Sequence, residues 1–130
     1  MNKNKKTEQF CKQKDIVLLV LFGSRGKNKT HEKSDVDIAV LTRKKTSKSK
    51  KLHYTSQLEQ IYNTSIDLVI LNNNTDPLLL HEIFWNGQVL YEEKDGIFRN
   101  QLYRAWTKYV DTQYLRERER QYIKNFSMEK

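Results

Sequence analysis

Residues 23–37, GSRGKNKTHEKSDVD, decide how this chain is read. Gly23-Ser24 closes an apolar run, and after an interval of ten residues two aspartates follow as D-x-D, Asp35 and Asp37. The run before the pair, IVLLVLF over 16–22, reads as a buried strand, and VDIAVL over 36–41 reads as a second. Gly23 and Ser24 then stand at the exit of one strand, and both aspartates at the start of the next. Side chains two apart on a strand point to the same face, about 6.5–7 Å apart at their Cα atoms. Two carboxylates so placed, beside a tight glycine turn, make a site for a hard cation. Magnesium is held mainly through one or two carboxylates plus substrate phosphates. The chemistry implied is magnesium-assisted attack on a nucleoside triphosphate.

Working outward, SIDLVIL over 65–71 reads as a third strand, with Asp67 near its start. If that strand lies beside the second, Asp67 projects toward the pocket of Asp35 and Asp37. Three carboxylates could then hold two magnesium ions about 3.5–4 Å apart, clamping the attacking and leaving oxygens of an in-line displacement. Asp67 could also orient or deprotonate the incoming hydroxyl, a general-base role. Ser24 and the backbone N–H groups after Gly23 would hold terminal phosphates, because glycine allows close backbone approach. Arg25, Lys27 and Lys29 lie in the right segment to neutralise triphosphate charge, Arg25 first and Lys27 second. A lone D-x-D is more often a surface turn, and a lone Gly-Ser is weaker still. The combination in its strand context is far rarer.

The rest of the chain orders itself around these strands. Residues 3–14 read as a short polar helix or a disordered lead-in. Thr46 or Ser47 caps a helix over about 47–63, with Leu52, Leu58, Ile61 and Tyr62 as its apolar stripe. Asp76-Pro77 starts a helix over about 77–86 that carries Leu79, Leu80, Ile83 and Phe84 and ends at Gly87. A short strand over 88–91 follows. From about Gly96 one long helix runs on, with Phe98, Leu102, Ala105, Trp106, Tyr109 and Val110 on its apolar side. Tyr114, Leu115, Tyr122, Ile123 and Phe126 extend that face beyond what a small domain needs, so the tail folds back or meets another chain.

Composition removes several classes. The longest apolar run falls far below the roughly 20 residues of a membrane span, and the basic N-terminus has no apolar core of a signal peptide. Cys11 is the only cysteine, which excludes an internal disulfide and fits a reducing, cytoplasmic setting. His31, His53 and His81 show no zinc-ligand spacing, and His31 reads as an incidental loop residue. The net charge of +8 is uneven: residues 43–51, RKKTSKSKK, carry six of the 24 basic side chains. Such runs can meet nucleic acid, an acidic protein or triphosphate, but a solvated loop is favoured, and no nucleic-acid module signature lifts the stronger reading.

At this point FGSRGKNKTHEKSDVDIAVL resembles the signature of the polymerase-beta-like nucleotidyltransferase superfamily: G-S, ten residues, D-x-D. With SIDLVIL and DPLLLHEIFWNGQVLYEEKDGIFRN, the whole chain is similar to the minimal nucleotidyltransferases, typically the antitoxin half of a bacterial pair with a HEPN-domain ribonuclease toxin. The resemblance implies that Gly23 and Ser24 contact the triphosphate, that Asp35 and Asp37 bind Mg2+, and that Asp67 is the third catalytic carboxylate. It implies transfer of AMP from ATP to a hydroxyl with release of pyrophosphate, the acceptor being a tyrosine of the partner toxin. Relatives often read Gly-Ser-x-Ala-Arg-Gly, whereas here Gly26, Lys27 and Asn28 follow Gly-Ser-Arg. Lysine keeps the charge but lacks the planar fork of arginine, so nucleotide preference or rate can differ.

The fold expected is α/β (α+β in arrangement): a small mixed sheet of the polymerase-beta-like type, helices mainly on one face, and a long C-terminal helix. Residues 1–130 would form one domain, with a catalytic core over about 10–92 and the helix over about 96–126. Two other functions compete. A small-molecule, aminoglycoside-type nucleotidyltransferase would need an added substrate domain. An antitoxin that neutralises by binding alone, through the C-terminal helix, would survive loss of the aspartates.

Overall fold

The computed structural model describes residues 3–23 and 35–128, with side chains over 4–23 and 35–124. The order is α1 (Lys3–Gln13), β1 (Ile16–Phe22), β2 (Val36–Thr42), α2 (Lys48–Tyr62), β3 (Ile66–Ile70), α3 (Pro77–Asn86), β4 (Gln88–Glu92) and α4 (Ile97–Met128). The four strands form one mixed sheet in the order β3-β2-β1-β4. β1 pairs antiparallel with both β2 and β4, while β2 and β3 are parallel. A parallel pair requires a crossover, and α2 supplies it.

Helices cover both faces of this sheet, two on each, rather than mainly one face as the sequence suggested. β1 explains the difference. Its run IVLLVLF does not alternate, and a strand without polar positions must be buried on both sides. Ile16 and Leu19 join Ile38, Val40, Ile66 and Leu68 under Phe10 of α1 and Tyr54 and Leu58 of α2. Leu18, Val20 and Phe22 join Ala39 and Leu71 under Leu80, Ile83 and Phe84 of α3 and Ala105 of α4. Each large side chain removed from water here contributes about 1.5–3 kcal/mol. A register irregularity between Ile16 and Leu18 shifts the alternation of β1 by one.

Local signals place the helix ends. Ser47 caps α2, its hydroxyl accepting from Lys50 N at 3.2 Å, and Asp76 caps α3, accepting from Leu78 N at 3.0 Å with Pro77 next. The stripe on α2 is different from the one expected: Leu52 is 73% exposed and Tyr54 takes the core position, edge-on to Phe10. Residues 3–13 form a helix because Thr7, Phe10 and Cys11 give it a buried side, with Thr7 and Tyr62 hydroxyls 2.7 Å apart. Gly87, between α3 and β4, is required by space, since a Cβ there would meet Ile83 O at 2.0 Å and Val20 Cγ1 at 2.5 Å. Among the described residues, no helix is long and apolar enough to cross a membrane.

Candidate active site

The parallel register of β2 and β3 sets Asp37 directly opposite Asp67. Neighbouring strands run about 4.8 Å apart, and residues opposite each other share a face, so the two carboxyls stand side by side. Asp35 lies immediately before β2 and is exposed. Alternation turns Asp37 and Asp67 to the face covered by α3 and α4, the face of Ala39 and Leu71. The condition set by the sequence, that the third strand lie beside the second, is met.

Two further contacts hold the start of β3 in place. Ser65 O accepts from Val36 N at 2.9 Å, which ties the entries of the two strands together. Glu59 of α2 accepts from Ile66 N at 3.0 Å, anchoring the residue before Asp67. Glu59 escaped the sequence reading because its partner is a backbone group brought near only by the α2–β3 turn.

Gly23 completes the corner. Phe22 pairs with Asp37 across β1 and β2, so Gly23 turns off the strand beside that carboxylate. Its φ of +96° lies where side chains are strained, and a Cβ there would come within 2.3 Å of Asp37 Oδ2. Both conformation and space therefore require glycine. Ser24, Arg25, Lys27, Lys29 and His31 lie outside the described residues.

Electrostatics single out Asp37. Burial pushes its carboxyl above the ordinary aspartate range, and the negative charges of Asp67, Glu82 and Asp35, with a hydrogen bond to Asp67, push the same way. Glu82 sits on α3, in a helix that the sequence shows only as an apolar stripe; its role emerges from helix packing alone. Carboxylates crowded in this way repel one another and favour a cation between them. Among the described residues, no group of three or more His, Cys, Asp or Glu side chains is arranged as a ready-made metal cage. An all-oxygen pair beside a glycine turn nevertheless suits magnesium, which completes its shell with water and substrate phosphates.

Residues 4–96 match the protein family described as "Polymerase beta, Nucleotidyltransferase", and the chain belongs to it. The fold also recurs in solved structures. A toxin-antitoxin structure with AMP-PNP has a chain 23% identical, at a TM-score of 0.73, the match covering 96% of this chain and 98% of that one. A toxin-antitoxin MntA-HepT structure is 21% identical at a TM-score of 0.70, covering 97% of both chains. A tri-AMPylated Shewanella oneidensis HEPN toxin in complex with MNT antitoxin is 21% identical at 0.70, covering 97% of this chain and 96% of that one. No curated protein matches the chain.

Proposed function

We propose that this chain is an antitoxin of the MntA kind that transfers AMP from ATP to a hydroxyl of a HEPN partner toxin, a tyrosine being the expected acceptor. The observation that carries the reading is the pairing of Asp37 with Asp67 at the entries of β2 and β3, with Gly23 packed against Asp37. Family membership supports nucleotidyl transfer, and the neighbours with AMP-PNP and with a tri-AMPylated HEPN toxin support the nucleotide and the partner.

In the proposed reaction the acceptor oxygen attacks the α-phosphorus of ATP. The bond from that phosphorus to the bridging oxygen of the β-phosphate breaks, and pyrophosphate leaves in line. Asp67, exposed and beside Asp37, takes the acceptor's proton. Asp35 and Asp37, with Asp67, are the residues that would hold magnesium, whose chemistry when bound is neutralisation of charge on the phosphate oxygens. The open backbone at Gly23 admits the terminal phosphates; Ser24, Arg25 and Lys27 are assigned to the same triphosphate. The α4 helix is assigned to the partner interface, since Trp106, Val110, Tyr114, Leu115, Tyr122 and Ile123 stand exposed along it. That same surface favours the second reading, neutralisation by binding alone. A cytoplasmic setting follows from the proposed partner.

The test is label transfer from α-phosphate-labelled ATP with magnesium, using the product of the neighbouring gene and host lysate as acceptors. Label on a protein band with wild type and not with Asp35→Asn/Asp37→Asn is the expected result. Tight association with the neighbour and no label would overturn transfer and leave binding.

A further inference from the structure

The carboxyl ends of β2 and β3 present chemistry opposite to that of their starts. Two adjoining cavities open there, of about 570 Å³ and 70 Å³, and share Leu41, Leu71, Asn72 and Asn73 in their walls. Lys44 and Lys45 line the larger, and Arg104 and Lys108 of α4 line the smaller. Among the described residues none of these four has an ion-pair partner, whereas Arg43 on the same rim is bound to Glu93 at 2.5 Å and to Asp15 at 4.0 Å. Among the described residues, no carboxylate and no aromatic ring lines either cavity.

The loop between the cations is built rather than loose. Asn72 Oδ1 accepts from Asn74 N at 2.7 Å, and Thr75 Oγ1 accepts from Asn72 N at 3.0 Å. The side-chain amides of Asn73 and Asn74, two residues of the larger cavity's wall, make no hydrogen bond among the described residues, which leaves their donors available to a ligand there. The start of α2 adjoins the same rim through Thr46. Its first turn holds no acidic residue and carries Lys48, Lys50 and Lys51 instead. A helix N-terminus is already electropositive, so cations there are unfavourable until an anion arrives. Three segments far apart in sequence thus bring unpaired positive charge and amide donors to one cleft.

We propose that this cleft is a second, non-catalytic site that takes the phosphates of single-stranded RNA. Cations and amides recognise phosphate oxygens. With no ring among the described lining residues to stack a base, contacts go to the sugar-phosphate backbone, which carries no sequence information, so binding is sequence-tolerant. The inference does not depend on the transfer reaction.

The test is fluorescence anisotropy of a short labelled mixed-sequence RNA with the full chain across a salt series. Arg104→Gln/Lys108→Gln and Lys44→Gln/Lys45→Gln probe the cleft from its two sides. Arg118→Gln/Lys124→Gln, far along α4, removes the same charge elsewhere. Either cleft pair should weaken binding about tenfold and flatten the salt slope by about 1.4, the share of two phosphate contacts on a single strand, while the control pair changes neither. Asp35→Asn/Asp37→Asn should bind RNA as wild type does. Equal weakening by the control pair would overturn the site in favour of diffuse charge. Displacement of RNA by polyglutamate of matched charge, as readily as by RNA, would overturn it in favour of an acidic protein partner. Failure of RNA to bind would overturn the RNA assignment. If tripolyphosphate then bound through the cleft side chains, the phosphate chemistry would stand with a free oligophosphate as its source.

Discussion

The two ends of the β2–β3 pair share one sheet face and one helical roof, yet they carry opposite charge. At the entries, Asp37 and Asp67 stand side by side with Asp35 and Glu82 near enough to raise the Asp37 pKa. At the exits, Leu41 and Leu71 floor a cleft rimmed by Lys44, Lys45, Arg104 and Lys108. Asp37 and Leu41 are four residues apart, about 13 Å along the strand. That exceeds the Debye length of about 10 Å at 0.1 M salt, so the ends do not neutralise each other. A short parallel pair can thus keep opposite charges apart, which is what the two proposed tasks require: a reaction centre that takes a cation at one end and direct phosphate capture at the other.

The sharpest way to break this contrast is Asp37→Asn. Losing a carboxylate proposed to hold the metal should remove several kcal/mol of transition-state stabilisation, so transfer should fall by about a thousandfold or more. The same change should raise the thermal stability of the cation-free protein at neutral pH. The sign follows from the raised pKa. The folded protein prefers Asp37 protonated, so the preference stabilises the fold below the ordinary aspartate pKa and is lost as pH rises through the folded value. Asparagine carries no charge at any pH. The gain in melting temperature should therefore be largest at neutral pH and fade toward pH 4. A variant inactive and less stable at neutral pH would contradict the crowded-carboxylate picture.

Next in size is Gly23→Ala. A methyl group 2.3 Å from Asp37 Oδ2 must displace the carboxylate, and transfer should be largely lost with destabilisation of about 1–3 kcal/mol. Gly96→Ala is the natural control. It shares a positive φ, +100°, but has nothing within 4 Å, so it should cost about 1–2 kcal/mol for the left-handed backbone and leave transfer intact. Rate measurements and denaturant melts of the two variants separate crowding from conformation.

The entries were far more legible in sequence than the exits. Strand positions, Gly-Ser, D-x-D and the Asp76-Pro77 helix start are local, and periodicity reports them directly. Asp67 needed one tertiary condition, that the third strand be paired beside the second, and the crossover helix met it. Glu82 and Glu59 were not legible, because each acts through a neighbour that helix packing supplies. The run RKKTSKSKK over 43–51 reads as a solvated loop, since nothing in it shows that Asn72–Asn74 wall a cavity beside it or that α4 lines the one adjoining. Helices on both faces follow from the unalternating β1, a strand with no polar position that must be covered on both sides. Leu52 gave way to Tyr54 on α2 because its periodicity was ambiguous over one turn, and the ring of Phe10 settled which side faced in.

Smaller effects sharpen the contrast further. Glu82→Gln removes one of the charges that raise the Asp37 pKa, so the acidic limb of the transfer rate should move to lower pH. Arg104→Gln/Lys108→Gln, at the far end, should leave that limb where it is. A shift of equal size in both variants, read from pH–rate profiles at 0.1 M salt, would mean that the two ends share one electrostatic field.

Whether the Asp37–Asp67 pair performs transfer or merely shapes a binding surface shows in the state of the partner protein. The most direct measurement is the intact mass of the partner protein after co-expression with wild type and with Asp37→Asn, both recovered as complexes. Catalysis by the pair gives mass increments of whole AMP units with wild type and an unmodified partner with Asp37→Asn. An unmodified, neutralised partner in both complexes would contradict it.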